Sequence, residues 1–348
     1  MRKRYPEIDA IRGLAVFLMI ASHTVWFQGS GDSTIWNFLR SWGDAVCYIT
    51  FLFVFGITMY INGSRDDSND NRRGLKRIIN LGFIYYLSAS VSLLPEIGHG
   101  LNLEKIVKTL LLINVPGFTE FLIPFFLYLI IFEVFRKYLT VKKIASIKAL
   151  IVSLAIYIFG VFLFQWLGAI SLPFDLHAYP AMIWGHQRLL RFPLLQYLPV
   201  LVLGAYIGRR ICENDRPIKE CPAIGKSFVV ISVFTLLLWS TEILWSLSYF
   251  NEYLRWPPSV LFIGFGLSFA LFSLLLFGAV QMKHISVFFQ TLGKNSLGIL
   301  AFHIILFRFL SLMDTPKSGN FIILLGLFIM ALLGYLLFLS VFRSIKKR

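Results

Sequence analysis

Residues 8–23 read IDAIRGLAVFLMIASH, a long apolar run in which only Asp9, Arg12 and His23 are ionisable. A helix needs about 20 mostly apolar residues to cross the roughly 30 Å hydrocarbon core of a membrane. This run, continued to Phe27, therefore predicts a transmembrane helix. Ionisable side chains are costly inside a membrane, so the three residues also mark a candidate functional site.

The whole chain has the same apolar character. Hydrophobic residues make up 57% of its 348 residues and charged residues 15%, and its mean hydropathy is +0.73. Soluble domains contain about 45–50% apolar and about 25% charged residues. This composition excludes an ordinary soluble enzyme. It predicts an all-α polytopic membrane protein with a single transmembrane domain over residues 1–348.

Apolar runs between charged loops predict about ten transmembrane helices. The predicted spans are residues 11–27, 45–61, 78–94, 118–135, 149–168, 194–211, 228–249, 260–280, 296–312 and 321–342. A shorter run at residues 101–115 holds Glu104, Lys105 and Lys108 in its first turns. We expect it to lie at the membrane interface and not to cross.

The basic residues predict the orientation of the chain. Lys and Arg concentrate in short cytoplasmic loops, and ten spans with both termini in the cytoplasm place most of the 33 Lys and Arg residues there. Counting residues 101–115 as a span would reverse every later loop. Basic loops facing anionic lipid explain the net charge of +15. Nucleic acid is therefore not an expected partner.

Arg12 and His23 lie on one face of the first predicted helix. They are eleven positions apart, which brings them within about 20° around the helix and roughly 16 Å apart along its axis. Asp9 lies one turn before Arg12 and can pair with it. Either residue alone has an ordinary explanation, since Arg12 can reach lipid phosphate and His23 can be a hydrogen-bonding core residue. Together they favour a tunnel with a cation at its cytoplasmic mouth and an imidazole deeper inside.

Residues 8–15, IDAIRGLA, followed by His23, closely resemble the first helix of the transmembrane acyltransferase superfamily, which includes the acyltransferase-3 and heparan-alpha-glucosaminide N-acetyltransferase families. Their shared mark is an Arg, ten residues and then a His. Residues 51–57, FLFVFGI, are similar to the aromatic-rich second helix of both families. Residues 292–296, LGKNS, with His303, resemble their last shared block. Residues 191–195, RFPLL, look like the heparan type, which we prefer on that basis.

The resemblance implies an acyl-CoA-dependent acyltransferase in the cell membrane. It would move an acyl group, expected to be acetyl, from cytoplasmic acyl-CoA to a sugar hydroxyl or amine on the outer side. His23 is then the catalytic residue, either as a base or as a transient acyl carrier. Cationic side chains at the inner mouth would hold the CoA phosphates. The predicted donor-binding residues are Asp9, Arg12, Lys76, Arg77 and Lys294.

The acceptor, a carbohydrate or glycolipid of the envelope, is expected to bind on the outer side. The predicted acceptor-binding residues are Glu120, His177, His186, Arg188 and His303. Loop residues of this kind also fit an interfacial aromatic belt, and His303 also fits helix packing. The sequence names no oxyanion stabiliser. Membrane lipid is an expected partner, a homo-oligomer stays open, and no metal is expected because the three cysteines have no metal-ligand spacing.

A transporter or flippase for an envelope glycan or lipid-linked sugar is the competing interpretation. Transporters often consist of paired halves with broken helices near the membrane midplane. The sequence has no such internal repeat, and its intramembrane polar residues cluster in the first helix. These features favour the enzyme. The sequence leaves open the acceptor, the choice between O- and N-acylation, and the length of the acyl chain.

Overall fold

The computed structural model describes residues 4–29, 34–64, 71–97, 103–135, 138–168, 174–185, 192–214, 218–240, 257–279, 283–313, 317 and 320–346. These residues are 88% helical and contain no strand. The prediction of an all-α protein is therefore confirmed.

The helices follow the apolar runs of the sequence. In chain order they are α1 Pro6–Gln28, α2 Thr34–Gly63, α3 Asn71–Ile97, α4 Leu103–Leu110, α5 Leu122–Val134, α6 Val141–Ile144, α7 Ile147–Gly168, α8 Phe174–Trp184, α9 Leu194–Asn214, α10 Pro222–Ser240, α11 Val260–Ala279, α12 Lys283–Lys294, α13 Ser296–Leu312 and α14 Phe321–Lys346. Each predicted span overlaps one of these helices, although residues 241–249 and 280 lie outside the described part. The described part of the interfacial run, residues 103–115, contains the short α4.

Five of the described helices are long and apolar enough to cross a membrane, namely α1, α2, α7, α11 and α14. A sixth candidate arises if α12 and α13 count as one span, broken at Asn295 and bent by 76°. α5 and the apolar part of α10 are shorter. The chain is therefore a multi-pass membrane protein. The predicted number of about ten spans and the cytoplasmic location of both termini are not confirmed.

α1 lies inside the helical bundle and packs against α2, α11, α12, α13 and α14. Its residues Ala10, Ile11 and Ala15 are fully buried. By contrast, α7 exposes apolar side chains such as Ile158 and Phe162. The polar side chains of a helix in this position are satisfied by partners within the protein or lie at internal cavities.

A close crossing fixes α1 against α12. A Cβ added at Gly13 would meet the carbonyl oxygen of Phe289, and one added at Gly293 would meet that of Asp9. Glycine lacks a Cβ and so permits this approach of two backbones. The break between α12 and α13 consequently lies beside the start of α1. From there α13 runs along α1 in the same direction.

Candidate functional site

Two histidines from opposite ends of the chain form the centre of the candidate site. His23 Nδ1 on α1 and His303 Nε2 on α13 lie 2.8 Å apart, and the two rings are stacked with their centroids 5.1 Å apart. His303 is fully buried. Its Nδ1 lies 3.0 Å from the carbonyl oxygen of Ile299. The structure thus brings two predicted site residues into direct contact.

The Ile299 carbonyl fixes the protonation pattern of both rings. A carbonyl oxygen can only accept, so Nδ1 of His303 carries a hydrogen and donates it. Nε2 of neutral His303 is then an acceptor, and His23 donates to it from Nδ1. Neutral His23 consequently has its lone pair on Nε2. A general base needs such an unprotonated nitrogen to accept a proton.

His23 opens onto a small pocket between α1, α2 and the segment before α5. We call it the histidine pocket; its volume is about 60 Å³. Its polar lining comes from Ser22, His23, Asp44, Tyr48 and Glu120, and aromatic rings form much of the remaining wall. Within the described part of the chain, no Lys or Arg lines it. The histidine pocket therefore combines an imidazole with two carboxylates.

Asp44 is held in the histidine pocket by side chains of α1. Ser22 Oγ donates to Asp44 Oδ1 at 2.6 Å, and Trp26 Nε1 donates to Oδ2 at 3.1 Å. The guanidinium of Arg40 lies 3.7 Å from the centroid of the Trp26 ring. The sequence analysis missed Asp44. The available signal was that it is the only carboxylate in the 30 residues of α2.

Phe118 covers the ring of His23. The two ring centroids lie 4.8 Å apart in an edge-to-face arrangement. The backbone of Phe118 has φ of 69°, a left-handed conformation that is uncommon outside glycine. Arg308 Nη2 on α13 donates to the carbonyl of Gly117 at 3.1 Å. This contact holds the segment before α5, including the predicted acceptor residue Glu120, against the histidine pair.

A larger cavity, the middle cavity, adjoins the histidine pocket toward the start of α1. It has a volume of about 370 Å³, and its lining includes Arg12, Arg77 and Ser296 among mostly apolar side chains. Phe51 and Phe121 line both the middle cavity and the histidine pocket. These two rings therefore stand between the Arg12 side and the His23 side.

A third cavity, the end cavity, continues in the same direction and has a volume of about 410 Å³. Arg77 and Leu129 line both it and the middle cavity, and Lys142 and Glu133 add charged groups. The three cavities thus follow one another as neighbours. Arg12 and His23, which the sequence placed on one helix face, line adjacent members of this row.

The predicted donor-binding residues divide into two groups. Arg12 and Arg77 meet at the middle cavity, and Asp9 Oδ1 lies 3.8 Å from Arg12 Nη1. Asp9 therefore pairs with Arg12 as its position one turn earlier predicted. Lys76 and Lys294 are exposed and line none of the three cavities.

The predicted acceptor-binding residues also divide. Glu120 and His303 lie at the histidine pocket, one in its lining and one bonded to His23. His177 belongs to α8, but its side chain lies outside the described part of the structure. His186 and Arg188 lie wholly outside the described residues. Within the described residues, no group of three or more His, Cys, Asp or Glu side chains could hold a metal ion.

One comparison with known proteins gives a match. A family model described as an acyltransferase domain matches residues 5–340, nearly the whole chain. The match spans α1 to α13 entirely, and so includes both histidines of the pair. No curated protein and no solved structure matches.

Proposed function

This chain belongs to the acyltransferase-3 family, and from that premise we propose that it transfers an acyl group from cytoplasmic acyl-CoA to a sugar on the outer side of the membrane. Membership makes it a membrane acyltransferase. Beyond family membership, we propose that the donor is acetyl-CoA and that the acceptor is a sugar hydroxyl or amine. Of the two families that the sequence resembles, the match is to acyltransferase-3; our preference for the heparan type was wrong.

The observation that carries the proposal is the hydrogen-bonded series from the Ile299 carbonyl through His303 to His23. It leaves the lone pair of neutral His23 on Nε2. Acyl transfer needs a base for the attacking hydroxyl or amine, and histidine has the unperturbed pKa closest to neutral pH. A buried second imidazole at 2.8 Å also fixes the ring in position.

The proposed reaction uses His23 first as a base and then as an acid. Nε2 of His23 takes the proton of the acceptor hydroxyl or amine. At the same time, the oxygen or nitrogen of the acceptor attacks the carbonyl carbon of the thioester. A bond from the acceptor to the acyl carbon forms, and the bond from that carbon to sulfur breaks. Protonated His23 then gives its proton to the departing CoA thiolate. During the charged stage, His303 Nε2 accepts a stronger hydrogen bond from His23 Nδ1.

The cavities support entry of the donor from the Arg12 side. Guanidinium groups suit phosphate oxygens because they offer several donors in one plane, and Arg12 and Arg77 share the middle cavity. The roughly 16 Å rise from Arg12 to His23 is of the same order as the length of a pantetheine arm. The thioester would pass Phe51 and Phe121 to reach His23.

One observation favours the alternative of a transporter or flippase. Transporters build their sites from discontinuous helices, and α12 and α13 are such a pair, bent by 76°. This is the one bent pair among the described residues, however, and paired halves would require another. The close packing of α12 against Asp9 and Gly13 of α1 accounts for the position of this bend without a transport function.

Labelled acetyl-CoA tests the proposed function. Purified protein in lipid nanodiscs is incubated with acetyl-CoA, and released CoA and transferred label are measured. We expect His23→Ala to lower both by about a hundredfold or more, the usual contribution of general base catalysis, whereas His284→Ala controls for loss of an imidazole elsewhere. Unchanged acyl transfer in His23→Ala would contradict the proposal. Sugar uptake into vesicles that persists in that variant, without any acyl transfer, would favour the transporter.

A further inference from the structure

The histidine pocket has to contain the acyl chain of the donor in the proposed reaction. The thioester carbonyl must come close to His23, which lines this pocket. The sulfur and the pantetheine arm then lie behind the carbonyl, in the direction of the middle cavity. The acyl chain points the other way, ahead of the carbonyl. The room in the histidine pocket therefore limits the length of that chain.

The histidine pocket has room for few carbon atoms. Its volume is about 60 Å³, whereas a closed apolar cavity of about 150 Å³ admits one benzene molecule. By that comparison the pocket takes roughly half the carbon atoms of benzene. An acetyl group, which has a single methyl group beyond its carbonyl, is of that size. A longer chain needs space that the pocket does not offer.

A longer chain would have to leave the histidine pocket toward the surface or back toward the middle cavity. Trp26 lines the pocket and is 38% exposed, so the pocket reaches the surface beside this ring. A chain in that opening would stand where the acceptor has to enter. The way back to the middle cavity is occupied by Phe51 and Phe121, which line both spaces. We call these two rings the acyl filter.

The rings of the acyl filter are held in place by packing. Phe51 on α2 is 9% exposed, and Phe121, immediately before α5, is 7% exposed. The ring of Phe121 packs edge-to-face on Phe125 with 6.4 Å between centroids, and Phe125 packs in the same way on Phe55 at 5.3 Å. Side chains in a close-packed interior cannot move aside for added methylene groups without a loss of stability. The acyl filter is therefore a firm wall.

On the basis of the proposed function, we propose that Phe51 and Phe121 determine the acyl specificity and restrict the donor to acetyl-CoA. The two rings form the wall of the histidine pocket toward the middle cavity, and so they set the space available beyond the thioester carbonyl. An acetyl group fits in that space, whereas propionyl and butyryl groups press against the rings. One methylene group that a pocket does not accommodate lowers kcat/KM about tenfold or more. Neither ring transfers a proton, so the rings act on the choice of donor alone.

A series of donors tests the acyl filter. Acetyl-, propionyl- and butyryl-CoA differ only in the number of methylene groups. For each donor, kcat/KM is measured as release of CoA thiol by the protein in nanodiscs, with methyl glucoside and methyl glucosaminide supplied as hydroxyl and amine acceptors. We expect kcat/KM for propionyl-CoA to lie about tenfold or more below that for acetyl-CoA, and butyryl-CoA to be used still less well. Use of butyryl-CoA within about twofold of acetyl-CoA would overturn the proposal.

Two substitutions assign the selectivity to the rings. Phe51→Leu and Phe121→Leu each remove part of the wall and should raise the ratio of kcat/KM for butyryl-CoA to that for acetyl-CoA about tenfold. Phe55→Leu is the matched control, because Phe55 lies one turn after Phe51 on α2 and lines the middle cavity but not the histidine pocket. Its ratio should stay at the parent value. A variant that merely folds poorly lowers the use of both donors and does not raise the ratio, and melting temperatures identify such a variant.

The outcomes separate this proposal from the proposed function. Acetyl transfer that requires His23, with a donor ratio that neither Phe51→Leu nor Phe121→Leu changes, would overturn the acyl filter and leave the acyltransferase standing. An equal rise of the ratio in Phe55→Leu would also overturn it, because the selectivity would then not depend on the histidine pocket. Transfer from none of the donors to either acceptor, and no release of CoA, would refute the proposed function and the acyl filter with it.

Discussion

Replacing His303 with Ala removes the hydrogen-bond acceptor that orients His23. His303 Nε2 and His23 Nδ1 are 2.8 Å apart, and in the proposed reaction this bond becomes charge-assisted when His23 takes a proton. A hydrogen bond to a charged group contributes about 1.5–3 kcal/mol. Since about 1.4 kcal/mol corresponds to a tenfold change in rate, we expect kcat to fall about ten- to a hundredfold.

The assay for His303→Ala is the release of CoA thiol at saturating acetyl-CoA, with the donor Kd measured in parallel. The Kd should not change, because His303 lines none of the three cavities, including the one that contains Arg12. His303→Gln is the matched variant: its side-chain oxygen can accept from His23 Nδ1 and should restore kcat to within about fivefold of the parent.

Two results would refute this reasoning about His303. A kcat for His303→Ala within twofold of the parent would show that the bond to His23 does not matter for turnover. A well-folded His303→Gln that is as slow as His303→Ala would show that His303 transfers protons itself and does more than orient its neighbour.

Two further predictions concern the donor side and the helix crossing. Arg12→Ala should weaken CoA binding about tenfold or more, the value of one charge-assisted contact to phosphate, and should slow turnover less at saturating donor. Lys317→Ala, which removes an exposed charge, is the control. Equal donor affinity in Arg12→Ala and the parent would contradict the proposed role of Arg12. Gly13→Ala should lower the free energy of unfolding by about 1–3 kcal/mol, because the added Cβ would meet the backbone of α12. Gly326→Ala is the control: its Cβ meets nothing within 4 Å, so it should be neutral or stabilising by up to about 1 kcal/mol. Thermal unfolding checks this pair, and equal melting temperatures would rule out the tight crossing.

Helix existence could be predicted from the sequence because membrane helices are locally encoded. In lipid every backbone polar group must be satisfied within its own segment or barrel, so an apolar run of sufficient length becomes a helix. The spacing of Arg12 and His23 likewise follows from 3.6 residues per turn, and the two residues line adjacent cavities. The number of spans was less accessible, since α5 and the apolar part of α10, Pro222–Leu236, are short for crossing.

The candidate site was only half visible in the sequence. His23, Glu120 and His303 were named because ionisable groups in apolar surroundings stand out. Tyr48 and Phe118 were missed because aromatic residues are common throughout this chain, with 35 Phe and 14 Tyr. Neither residue differs from its neighbours until packing shows which surface it lines.

Hydrophobicity and helical period are properties of a local segment. An all-α membrane chain, and a first helix with a cation and an imidazole on one face, could therefore be predicted from the residues alone. The contact between His303 and His23 across 280 positions of sequence is visible only in the packed bundle, where Asp44 and Tyr48 also line one pocket. Which faces of two helices touch depends on the packing of the whole bundle, including the glycine crossing of α1 with α12. No single segment encodes that packing.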